Sequence, residues 1–82
     1  MENTKLAKEE FLSSNRIFIG QEIRRYRLKK KYNQQCLAVI MGINRATISK
    51  IENGKFAISI DYLAKFGWHL DFSVRLFNQE PD

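Results

Sequence analysis

The stretch GINRATISKIENGK, Gly42 to Lys55, decides how the rest of this 82-residue chain is read. Asn44 stands where a side-chain oxygen can accept from the free N–H groups of a helix start. Ile48 and Ile51 recur three residues apart, and Asn53-Gly54 supplies a stop signal. The segment therefore predicts one short amphipathic helix over about 44–53.

Working backwards, NQQCLAVIMG has the same form. Asn33 caps it, Leu37, Ala38, Ile40 and Met41 share an inner face, and Gly42 ends it. Two short capped helices joined by a few residues around Gly42-Ile43 describe a helix-turn-helix.

The flanks extend the pattern. A first helix is expected from about Arg16 to Lys31, capped by Ser14 or Asn15, with Ile19, Ile23, Tyr26 and Arg27 on one face. A guanidinium on that face needs a partner, because an unpaired buried charge is expensive. After Gly54, Ser59 can cap a further helix with an apolar stripe of Ile60, Leu63, Ala64, Phe66 and Trp68, which Gly67 weakens. The tail then changes period: Phe72, Val74 and Leu76 alternate with Asp71, Ser73 and Arg75, as in a half-buried strand. A lone strand leaves both edges unpaired, so pairing with a second copy of the chain is expected.

The chain is one small domain with a marginal core. Its single cysteine, Cys36, excludes an internal disulfide, and Cys36 with His69 cannot supply four zinc ligands. Oligomerisation is the remaining supplement. Fourteen basic residues against nine acidic give +5, concentrated in RRYRLKKK, Arg24 to Lys31. Such a cluster suits a polyanion, or is simply a solvated helix face. The apolar stretches are too short for a membrane span, and MENTKLAKEEFL lacks the apolar core of a signal peptide. The chain is thus expected in the cytoplasm. His69, Asp61 and Asp71 form no acid–base pair, so no enzyme activity, metal or cofactor is expected. Cys36 reads as a small packing residue. Phe18, Leu28 and Val39 fall off the inner faces, and either the segment LAKEEFL covers them or they mark a patch for a partner.

From about Ile19 to Lys55 the residues IGQEIRRYR, NQQCLA and MGINRATISKIENGK resemble the XRE/Cro/C1 helix-turn-helix family of phage repressors and bacterial regulators. The resemblance implies an ion pair between Arg27 and Glu52. It also implies phosphate contacts from Gln34, Asn53 and Lys55, and Thr47, which flanks the reading face, is expected to contact phosphate as well. The third helix should enter a major groove of DNA. With Ile48 and Ile51 inward, Asn44, Arg45, Ala46, Ser49 and Lys50 are left to read bases. From Ser59 onward the chain resembles HipB-like antitoxins, in which a helix runs into a strand that pairs across the dimer. That implies a dimer interface of Trp68, Leu70, Phe72, Val74 and Leu76.

The expected fold is therefore mainly α: a lambda-repressor-like bundle of four to five helices with a C-terminal strand pairing across a homodimer. Residues 1–14 would be an N-terminal extension, partly helical or flexible. Residues 15–70 would be the DNA-binding domain, 71–78 the dimerisation strand, and 79–82 a disordered tail. The expected function is transcriptional regulation by a homodimer on an inverted-repeat operator in double-stranded DNA. The chain would be a bacterial antitoxin with a toxin partner, a phage-type repressor, or mainly an inhibitor of a partner protein.

Overall fold

The computed structural model describes residues 4–77. Four α-helices follow one another: α1 Thr4–Lys29, α2 Gln34–Met41, α3 Arg45–Glu52 and α4 Ile60–Leu70. α3 packs against both α1 and α2, and α4 closes over the same two helices. Each contributes to a single core of Ile23, Leu37, Ala38, Ile48, Ile51, Phe66 and Leu70.

α1 is longer than its sequence suggests. It runs unbroken through Ser14 and Asn15, which therefore do not cap it. Ser14 Oγ donates to the Glu10 carbonyl (3.1 Å) and Asn15 Nδ2 to that of Phe11 (2.8 Å), so both side chains are satisfied inside a helix. Its 26 residues span about 39 Å. The N-terminal half cannot fold back as a cover, and Phe18, Leu28 and Val39 all remain exposed.

Three helices end in the same way. α2 and α3 close on Gly42 (φ 67°) and Gly54 (φ 72°). The N–H groups of Gly42 and Ile43 donate to the carbonyls of Val39 and Ala38, and those of Gly54 and Lys55 to Ile51 and Lys50. α1 closes identically, with Lys31 and Tyr32 donating to Leu28 and Arg27, but the left-handed residue is Lys31 (φ 64°). The helix thus stops at Lys29, short of the expected Lys31.

Two apolar faces compete on α4. The stripe Ile60, Ala64 and Trp68 is exposed, Trp68 at 83 %. The buried face is the one carrying Phe66, Gly67 and Leu70, flanked by Tyr62 and Leu63. Leu70 is accordingly used up inside this core at 2 % exposure and is not open to a second copy. Ile40 on α2 also turns outward, and Cys36 is exposed rather than packed.

The tail leaves α4 through Asp71 (φ 65°), and the Phe72 N–H donates to the Gly67 carbonyl. The Phe72 ring then packs on Tyr26, centroids 5.0 Å apart. From Phe72 to Phe77 the chain belongs to no helix or strand, because a strand exists only in a ladder and this single chain offers none. The expected 79–82 tail lies outside the described residues.

Candidate nucleic-acid interface

The site is built on α3 and begins with what fixes it. Ile48 and Ile51 are buried in the core. The Glu52 carboxylate is buried as well and accepts from Arg27 Nε (2.7 Å), Arg27 Nη2 (2.9 Å) and Gln34 Nε2 (3.1 Å). Arg27 Nη1 donates to the Tyr32 carbonyl (2.8 Å). One guanidinium therefore ties α1, the α1–α2 junction and α3 together. Hydrogen bonding to Glu52 raises the Arg27 pKa, so its charge is firmly held. Among the described residues no buried side-chain nitrogen or oxygen lacks a partner.

The Gln34–Glu52 bond is a use of Gln34 that the sequence does not reveal. Gln34 opens α2, and one amide N–H is committed to Glu52. A primary amide has a second N–H to offer. The first-turn backbone N–H groups of α2 have no partner within their helix, apart from that of Cys36, which donates to Asn33 Oδ1.

Along the outer side of α3, Asn44, Arg45, Ala46, Lys50 and Asn53 are exposed, while Thr47 and Ser49 are partly buried. Asn44 caps the helix by accepting from the Ala46 N–H (3.1 Å), which leaves its amide nitrogen free to donate outward. Asn53 Nδ2 donates to Ser49 Oγ (3.4 Å). Lys55 follows, exposed. Glu52 is the one acid of α3, and it is buried against Arg27. The exposed face thus carries Arg45 and Lys50 with no carboxylate between them.

The basic run of α1 does not act as one patch. Arg25 bonds Glu22 (2.7 Å), which lowers the Glu22 pKa, and it also lies over the Tyr26 ring. Lys29 also sits over Tyr26, and Lys30 pairs with Asp71, which raises the Lys30 pKa. Arg27 is buried. Arg24 and Lys31 are left exposed without a carboxylate partner among the described residues.

Phe18, Leu63, Phe72, Val74 and Leu76 line a groove of about 580 Å³ between α1, α4 and the tail. Trp68 does not line it, but lines a separate hollow with Gly67 and Asp71. Among the described residues there is no cluster of three side chains suited to hold a metal ion. Among the described residues no helix is long and apolar enough to cross a membrane.

A helix-turn-helix family model matches residues 23–67, more than half of the chain. The chain belongs to this family. It is also 56% identical over 36 residues to the uncharacterized HTH-type transcriptional regulator RghRB of Bacillus subtilis (strain 168). That match covers 44% of this chain and 26% of the relative, so the chain spans about a quarter of the relative's length. No solved structure matches it. The family segment runs from Ile23 to Gly67, so the tail, the last residues of α4 and α1 before Ile23 lie beyond it.

Proposed function

We propose that this chain is a sequence-specific binder of double-stranded DNA that regulates transcription. It acts as a repressor, in the form of a homodimer on an inverted-repeat operator. The observation that carries this is the division of α3. Its inner side is fixed by Ile48, Ile51 and Glu52, and its outer side presents cationic, small and polar groups with no acid. Such a helix fits the major groove with its N-terminus nearest the base edges. Arg45 grips guanine O6 and N7, and Ala46 permits close approach and meets a thymine methyl. Asn44, Ser49 and Lys50 complete the reading face. Gln34, Thr47, Asn53 and Lys55 hold phosphates and set the register. The similarity to a transcriptional regulator supports the same reading.

Selection of bound duplexes from a random pool tests it. The expected product is an inverted repeat with half-sites about 10 base pairs apart, centre to centre. Recovery of no repeat at low salt overturns the proposal. Arg45→Ala is expected to lose about 1–3 kcal/mol and relax one position per half-site. Lys55→Ala should weaken all sequences alike and reduce the salt slope by about 1. Matching sequence profiles for the two variants would refute the split between reading and holding.

The dimer reading rests on the tail. Leu76 is 95 % exposed, and residues 73–77 make no backbone–backbone hydrogen bond among those described. Antiparallel pairing with the same segment of a second copy satisfies those groups and sets Phe72, Val74 and Leu76 on one face. Trp68 lies beside that seam. Val74→Arg is expected to halve the mass seen by sedimentation while the monomer still melts cooperatively. A variant that stays dimeric places the seam elsewhere.

A second reading, binding of a partner protein such as a kinase-like toxin, is favoured by the exposed Phe11 and Phe18 on α1. The neighbouring gene discriminates: a kinase-fold toxin supports this reading, and integrase or prophage genes support a phage-type repressor.

A further inference from the structure

We propose that Phe18 packs against Phe18 of a second copy across the dimer two-fold axis, closing the groove between α1, α4 and the tail; this rests on the tail-paired dimer reading above. Pairing of residues 73–77 alone makes too small an interface. A stable one takes about 20–30 residues a side, and two strands need a helix or further strands packed on them. The surface adjoining the tail is apolar and open. Phe18 is 61 % exposed, on a groove it lines together with Leu63, Val74 and Leu76. The polar groups in that groove are largely committed within the chain. Asn15 donates to the Phe11 carbonyl (2.8 Å), and Glu22 is held by Arg25 (2.7 Å). Arg75 is exposed and long enough to keep its charge in water at the rim. A second copy therefore covers the groove without stranding a charge.

Which residue meets the axis follows from the rise of the two elements. The Phe72 ring stands on Tyr26, centroids 5.0 Å apart. The tail then runs back along α1, since Asn15, Phe18 and Glu22 line the same groove as Val74 and Leu76. Extended residues advance about 3.3 Å each, so Val74 to Leu76 stand about 7–13 Å beyond Phe72. At about 1.5 Å per helical residue, that is level with about residues 17–22 of α1. Identical antiparallel strands are related by a two-fold axis through the middle of their pairing, so this stretch of α1 lies nearest the axis. Within it, Gly54 abuts Ile17, the Ile51 carbonyl abuts Gly20, and Ile19 packs on the core. Phe18 is its most exposed apolar side chain. The same stretch of α1 thus backs onto α3 on one side and meets the partner on the other.

A side chain that faces its own copy is tested by mixing. Phe18→Lys and Phe18→Glu each set like charges across the axis, and an equal mixture of the two sets opposite ones. Sedimentation of the full chain at low salt reads the result, with melting followed alongside. Each variant alone is expected to raise the dimer Kd at least about tenfold, while the mixture returns to the dimer mass. Should a charged variant lose its cooperative melt, a chain carrying Phe18→Cys and Cys36→Ser adds no charge and gives the same answer. A short bismaleimide is expected to join two such copies, and the lack of a covalent dimer overturns the contact. Charged variants that stay dimeric, while Val74→Arg is monomeric, overturn the Phe18 contact and leave the tail seam standing. Monomeric variants whose mixture stays monomeric overturn it too, since Phe18 then faces some other residue. A wild-type chain that is monomeric throughout overturns the dimer reading, and the Phe18 contact with it.

Discussion

Glu52→Ala is expected to lower stability by about 3–5 kcal/mol, since breaking a buried pair strands the remaining charge. Arg27 would keep only the Tyr32 carbonyl as acceptor at 5 % exposure, and Gln34 would lose its partner too. For a domain of this size the melting midpoint should drop by at least about 12 °C. A midpoint within about a degree of wild type would show that the pair holds nothing. Replacing both partners by apolar residues of similar volume should recover much of the loss, because it strands no charge. The sign of the pH effect also follows. The Arg27 pKa is raised in the folded state by its hydrogen bond to Glu52, so its contribution is complete below the already strongly basic unfolded value and is lost only as pH rises through the folded one. The Arg27 contribution itself is therefore the same at about pH 7 and about pH 9.

Gly20→Ala is expected to reverse the usual helix rule. In a helix interior this change ordinarily stabilises by about 1 kcal/mol. Here the added methyl carbon would stand 2.2 Å from the Ile51 carbonyl oxygen and 2.8 Å from that of Glu52. Both are backbone atoms and cannot swing aside, so α1 and α3 must separate. That shift also pulls Glu52 away from Arg27. Overpacking typically costs about 1–3 kcal/mol, and the coupled loss of the ion pair moves this site to the top of that range or beyond. Urea unfolding should show a lower midpoint at an unchanged slope. A higher midpoint would mean that the two backbones are not in contact.

The local signals in the sequence were strong where a single chain completes them. Asn33, Asn44 and Ser59 cap the helices that follow them, and Gly42 and Gly54 end theirs. Ile48 and Ile51 are at the spacing of a buried stripe, and both are buried. Elsewhere the same chemistry admitted two outcomes. Ser14 and Asn15 can cap a helix or bond back within one, and here they bond back. On α4 two apolar stripes lie side by side, and a helical wheel does not say which one meets the core. Gly67 held the clue, since the Phe72 carbonyl approaches where its side chain would be, which marks the inward side. The bond from Gln34 to Glu52 joins residues 18 apart and has no local signature. The tail differs for another reason: its alternation reads as a strand, but residues 72–77 find no neighbouring strand to pair with among the described residues.

The fastening residues of α3 and its outward residues do not overlap. Ile48, Ile51, Glu52 and the backbone seat at Gly20 hold the helix; Arg45, Ala46, Ser49 and Lys50 hold nothing else in place, save the weak Asn53–Ser49 contact. Substitutions at those four positions therefore carry little folding penalty. On the proposed DNA-reading role, the address written on this helix can be edited letter by letter while the bolt that secures it stays shut, so that what it recognises can diverge without passing through unfolded intermediates.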